Sequence, residues 1–111
     1  MNRLFILTVI FSLLCSLPSA QASPQDKLYD RCFITAGKRY SIDPGLLKII
    51  ARRESSLNPR AINHNRNDRG KIISTDYGIM QINSTHIPGL KKMGIIRSEK
   101  DLLNNVCLNI Q

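Results

Sequence analysis

Glu54 is the side chain in this sequence best placed to do chemistry. It lies in SIDPGLLKIIARRESSLNP, residues 41–59. Asp43-Pro44 reads as a helix cap followed by proline at the first helical position, where its missing N–H costs nothing. Asn58-Pro59 closes the run, because proline disfavours helix at the residue before it. At ~100° per residue, Leu47, Ile50 and Ala51 share one face, with Leu46 and Leu57 at its edge. Glu54 follows Leu47 by seven positions and so falls roughly 20° from it, inside the apolar stripe. Arg52, Arg53 and Ser56 fall on other faces. A carboxyl group on the inward side of a helix is paired or used. It is either a structural ion pair or helix-end carboxylate, or an acid kept neutral by apolar surroundings to protonate a leaving group.

A second stretch, Tyr77 to Asn83 (YGIMQIN), is compact and apolar around one amide. Gly78 permits an unusual backbone angle or a close approach. Gln81 is either a buried amide bonded to backbone or a donor to a polar ligand. Asp68 and Asp76 are the carboxylates near enough in sequence to assist Glu54; Asp76, just before Tyr77-Gly78, suits a local turn bond. Zinc would have to draw on Cys32, Cys107, His64 and His86. No two of these have short ligand spacing, so no metal and no cofactor are expected. The string His64-Asn65-Arg66-Asn67 likewise lacks the ligands a nuclease needs.

The elements that must position these groups begin after an export signal. Residues 1–22 combine Arg3, an apolar core from Leu4 to Leu17 and a small-residue end at Ala20-Gln21-Ala22. That is the pattern of a secretory signal peptide cut before Ser23. Its apolar run is short for a membrane span and broken by Ser12, Ser16 and Pro18, so no stable membrane insertion is expected after cleavage. Leu14, before Cys15, excludes a lipoprotein box. Removing 22 of 111 residues leaves 89, one small domain, residues 23–111. With Arg3 gone, 15 basic side chains face 8 acidic ones, a balance of +7. In an exported protein that excess points to an anionic wall polymer or surface, not to nucleic acid. The two remaining cysteines, Cys32 and Cys107, then suggest a disulfide.

Ser23-Pro24 opens a first helix with Asp26 in its first turn, and Leu28, Cys32 and Ala36 recur along it beside Tyr29, Phe33 and Tyr40. Cys32 therefore points into the core. Residues 60–76 have no apolar period and read as a loop or a loose hairpin with His64 exposed. Ser84 is placed to cap a short helix into Pro88-Gly89, and Ser98-Glu99-Lys100-Asp101 starts another before Leu102-Leu103. The fold class expected is mainly α.

Together these stretches resemble the soluble lytic transglycosylases, whose catalytic domain is similar to goose-type lysozyme. The resemblance is to the small exported members that accompany bacterial secretion, invasion and conjugation systems. AGKRYSIDPGLLKIIARRESSLNP matches the family's first motif, an acidic residue followed by Ser and shortly by Asn-Pro. DYGIMQINS matches the second, glycine followed by an apolar pair and Gln. The resemblance covers Cys32 to Ile110 and implies a small lysozyme-like helical domain. It implies Glu54 as catalytic acid, Ser55 as the neighbour that arranges the site, and Gly78, Met80, Gln81 and Asn83 as the wall of a sugar cleft. It places the family's two cysteines at Cys32 and Cys107. Arg53 stands where a small or apolar residue is usual, but off the inward face.

The family's third motif, an Ala-Tyr-Asn helix after the second cysteine, has no counterpart here. The expectation is therefore a domain lacking its C-terminal helices, with weakened or no activity. The implied reaction cleaves the β-1,4 bond between N-acetylmuramic acid and N-acetylglucosamine and leaves a 1,6-anhydro-muramoyl end. The implied partners are peptidoglycan strands and components of a secretion or conjugation machine, in the periplasm. Two alternatives stand beside it: a hydrolytic lysozyme, which needs Asp76 or Asp68 facing Glu54, and a wall-binding module without turnover.

Overall fold

The computed structural model describes Pro18 and residues 21–111; apart from Pro18, Gln21 and Ala22, the expected signal peptide lies outside the described residues. The first helix, α1 (Pro24–Tyr40), begins as the sequence predicts. The Ser23 hydroxyl accepts from the Asp26 N–H at 3.1 Å, and the Asp26 carboxylate accepts from the Ser23 N–H at 3.1 Å. Two orphan helix-end groups are thereby satisfied reciprocally. The second helix, α2 (Pro44–Ser55), starts where Asp43 Oδ1 accepts from Gly45 N–H. Lys48 reaches Asp30 at 2.7 Å across the pair, a part-exposed bridge of small value.

The core is narrower than the helical wheels imply. Tyr29, Cys32, Phe33 and Ala36 of α1 pack with Leu47 and Ala51 of α2, with Ile79, and with Ile110 from the chain's last helix, α5 (Val106–Ile110). Leu28 and Tyr40, expected on the inward face of α1, are 45% and 49% exposed. The helix is gripped by α2 and α5 along one row, and residues a step off that row stay in solvent. Cys32 and Cys107 form a disulfide that ties α1 to α5 across 75 positions.

Between α2 and α5 lies a small antiparallel sheet in the order β1 (Ile62–Arg66), β2 (Ile72–Tyr77), β3 (Ile82–Asn83). The first two strands form a registered hairpin, from Ile62 opposite Tyr77 to Asn65 opposite Ser74, with a bulge between Asn65 and Arg66. Its pairing is written in polar side chains. Asn65 donates to Ser74 and Asp76, His64 pairs with Thr75 at 3.0 Å, and Asn67 accepts from Arg69 and Lys71 N–H in the turn. A strand whose face is polar leaves no hydrophobic alternation, which is why the loop reading competed with the hairpin. His64 is exposed, as expected.

After β3 a single 3-10 turn (Ser84–His86) leads into α3 (Ile87–Lys92). Ser84 is not the cap: Asn83 Oδ1 accepts from Thr85 N–H, and the Ser84 hydroxyl instead accepts from Thr75 N–H of β2. The short α4 (Lys100–Asn104) begins where Asp101 accepts from Arg97 N–H at 2.7 Å. The fold is helical with a small sheet, a mixture that the mainly-α expectation leaves out. No helix among the described residues is long and apolar enough to cross a membrane.

Candidate active site

The inward row of α2 is Leu47, Ala51 and Ser55, each four residues from the last. Leu47 and Ala51 are buried, and the Ser55 hydroxyl donates to the Ile79 carbonyl at 2.6 Å. Glu54 therefore stands one step outside the row and is exposed, which corrects its expected place in the apolar stripe. A wheel centred on Leu47 and Ile50 is turned too far, because Ile50 is itself 38% exposed. Glu54 has no ion pair and no side-chain hydrogen bond among the described residues. Of the readings the sequence offers, the ion pair is thus absent there and the apolar surroundings that would keep the acid neutral are not found; Glu54 is the helix-end carboxyl reaching solvent. Arg52 and Arg53 are also exposed, so cations flank the carboxyl without engaging it.

The Ser55 bond joins the end of α2 to the turn at residues 77–81. Gly78 has φ +77°, and its N–H donates to the Ala61 carbonyl at 2.7 Å. A Cβ on Gly78 would lie 2.7 Å from the Leu102 carbonyl and would also collide with the Asn109 amide. Both uses of glycine anticipated from the sequence, the unusual angle and the close approach, occur at this residue.

Gln81 follows in the left-handed region at φ +55°. Its amide donates to the Ala61 and Gly78 carbonyls and accepts from Asn63 at 2.7 Å. The amide thus locks the turn to β1, in keeping with the buried-amide reading, although its side chain is only half-buried. Met80 is half-buried against the core. Asn83 donates to Asp76 at 2.8 Å and to Ser74.

Asp76 is held differently from the local turn bond expected of it. One carboxylate oxygen accepts from Asn83 and the other from Asn65 at 2.9 Å, so it is a cross-strand tie spanning all three strands. Asp68, in the hairpin turn, is exposed. The structure thus brings Ser55, Gly78, Met80 and Gln81 into one bonded unit at the end of α2. Asn83 joins the neighbouring sheet network, and the exposed Glu54 stands beside that unit with its carboxyl unengaged. No cluster of three His, Cys, Asp or Glu suited to a metal is present among the described residues.

Sequence reasoning missed Asn109. It is buried at 3% exposure, and its side chain bonds to Tyr77, Met80 and Leu102. A lone polar residue between Leu108 and Ile110, two positions after a core cysteine, was the available signal.

A family model described as "Transglycosylase SLT domain" matches residues 31–111. The "Peptidoglycan-binding-like protein" of Escherichia coli O157:H7 is 54% identical over 80 residues, covering 72% of this chain and 48% of that protein. "Invasion protein IagB" of Salmonella typhimurium LT2 is 48% identical over 79 residues, 71% of this chain and 45% of the relative. "Protein IpgF" of Shigella flexneri is 41% identical over 101 residues, 91% of this chain and 57% of the relative. The chain spans about half the length of the curated relatives it matches.

Proposed function

The chain belongs to the SLT transglycosylase domain family, and on that premise we propose that it is a lytic transglycosylase of peptidoglycan in which Glu54 serves as both acid and base. The observation that carries this reading is the contrast between two carboxyl groups. Glu54 is exposed and unengaged at the helix end, whereas both oxygens of Asp76 are bonded to amides of the sheet. Ordinary glycoside hydrolysis uses a second carboxylate as base or nucleophile. Asp76, so held, is a poor candidate for that role, and a one-carboxyl mechanism fits the chain better than a lysozyme-type one that uses Asp76; Asp68, exposed in the hairpin turn, is tested by the product mass.

In that mechanism the Glu54 carboxyl gives its proton to the oxygen joining N-acetylmuramic acid to N-acetylglucosamine, and the bond from that oxygen to C1 of the muramoyl sugar breaks. The resulting carboxylate takes the proton of the muramoyl 6-hydroxyl as that oxygen bonds to C1. The proton count closes, no water is consumed, and the product is a 1,6-anhydro sugar. The nucleophile belongs to the same sugar ring, so proximity replaces activation of water. Ser55 and the Gly78–Gln81 turn hold the helix end that carries Glu54, and the family resemblance alone assigns Met80, Gln81 and Asn83 to the wall of the glycan cleft. The basic excess of the chain, including the flanking Arg52 and Arg53, favours approach to an anionic wall.

We place such an enzyme in the periplasm after signal cleavage, opening the wall locally for a secretion or transfer apparatus; the signal-peptide pattern of residues 1–22 and the relative named as an invasion protein support that reading. The test is Glu54→Gln, which keeps shape and removes the transferable proton. Release of anhydro-muropeptides from purified sacculi should fall ~10²–10⁴-fold, with binding to sacculi retained. Products heavier by one water would indicate a hydrolase, and equal release by the variant would place the acid elsewhere.

A further inference from the structure

We propose that Asn109 is a positioning residue for this site: its amide sets the Tyr77–Gln81 turn against the end of α2 that carries Glu54. The proposal rests on the reading of Glu54 as the acid. The Asn109 side chain uses both of its donors and its acceptor on backbone. Its amide nitrogen donates to the Tyr77 and Leu102 carbonyls, each at 2.9 Å, and its oxygen accepts from the Met80 N–H at 2.8 Å. Tyr77 and Met80 are the two sides of the Gly78-Ile79 bend, so one side chain clamps the bend across its mouth.

No other residue type makes this set. A carboxylate lacks the donors, a hydroxyl has too few, and glutamine carries the same groups one methylene too far out. The clamp and the glycine are complementary, because a Cβ on Gly78 would occupy the space that the Asn109 amide fills. Beyond the bend the contacts run on to the acid. The Ile79 carbonyl accepts from Ser55 Oγ at 2.6 Å, and Ser55 adjoins Glu54. On the other side Asn109 follows Cys107 by two residues, so the disulfide to α1 fixes the helix from which the clamp reaches. A continuous set of short bonds thus joins α1, α5, the turn and the end of α2. General acid catalysis depends steeply on where the carboxyl stands, and a displacement of about 1 Å costs on the order of 10²-fold.

The experiment compares the exported chain with its Asn109→Ala variant by amide hydrogen exchange and by turnover of purified sacculi. The expected result is exchange of the Met80 amide faster by about tenfold, with the Phe33 and Ala51 amides unchanged and the Glu54 and Ser55 resonances shifted. Turnover should fall roughly 10–100-fold in kcat with KM nearly constant, and the unchanged Phe33 and Ala51 amides show that the loss is not a general loss of folded protein. Should Asn109→Ala fail to fold, Asn109→Asp is measured instead. It keeps the acceptor for Met80 but loses both donors, so the Met80 amide stays protected while the Glu54 resonances and kcat still change. Unchanged Met80 exchange and Glu54 resonances in Asn109→Ala, or equal acceleration at every core amide, would overturn the proposal. So would unchanged Glu54 resonances in Asn109→Asp where only that variant folds. Failure of the functional reading looks different: the unaltered chain releases products heavier by one water, or Glu54→Gln releases as much as the parent, while the exchange and resonance data still decide what Asn109 does.

Discussion

The end of α2 and the turn at residues 77–81 meet through one hydroxyl, and they are built on opposite terms. At the helix end, Arg52, Arg53 and Glu54 stand in solvent and only Ser55 reaches inward. In the turn, the Tyr77, Gly78 and Ile79 carbonyls, the Gly78 and Met80 N–H groups and the Gln81 side chain all have protein partners. The reactive group is displayed, and the frame that holds it is closed. Substitution in the frame should therefore act on stability and, through the placement of Glu54, on turnover, whereas substitution of Glu54 should act on chemistry alone.

The largest effect expected is on the frame's anchor. The Cys32–Cys107 bridge spans 75 positions, and in the chain-entropy model a loop of that length is worth roughly 4 kcal/mol. Replacing both cysteines by alanine should lower the melting temperature by about 15–30 °C for a domain of this size. The turn should loosen with it, because Asn109 rides on the same short helix as Cys107. Calorimetry of the double variant beside the oxidised parent gives the number; a drop of only a few degrees would mean that packing, not the bridge, holds α5.

Gly78→Ala comes next. The left-handed angle costs a side chain about 1–2 kcal/mol, and forcing a methyl against the Leu102 carbonyl and the Asn109 amide adds roughly 1–3 kcal/mol. The comparison sharpens when Glu54→Gln is melted alongside, since an exposed group without a partner should shift stability by no more than about 0.5 kcal/mol. If the two variants melt together, the division between closed frame and displayed acid is wrong.

Much of this was legible in the residues. The two helix starts, the glycine at the bend and the inward Cys32 follow from local rules about caps, positive φ and helical period, and the structure contains all of them. What was not legible depends on partners far away in sequence. Which row of α2 faces inward was decided by where Ile79 arrives, so Glu54 was placed one step too deep. The hairpin escaped definition because Asn65, Ser74, Asp76 and Asn83 pair through side chains, and polar ladders leave no hydrophobic alternation. Asn109 was invisible for the same reason: its three bonds reach back 7, 29 and 32 positions.

The smallest effect expected lies away from both regions, at the start of α1. Asp26 is exposed, and the Ser23 hydroxyl, with the Ser23 N–H second, holds its carboxyl below its ordinary value. A carboxyl lowered in the folded state contributes stability above its unfolded pKa, and that contribution is lost as pH falls through the folded value. Asp26→Asn should therefore melt slightly below the parent at neutral pH. The gap should close in acid, once the pH has fallen through the lowered folded-state value and the parent's carboxyl is also protonated. Because the group is fully in solvent, salt should narrow the gap as well. Melting curves of both proteins from neutral pH down into strong acid decide it. A gap that persists unchanged at the lowest pH would show that the capping box acts through shape and not through charge. A gap accompanied by loss of turnover would break the separation between this helix start and the site, because among the described residues the Ser23 and Asp26 side chains bond only within the capping box.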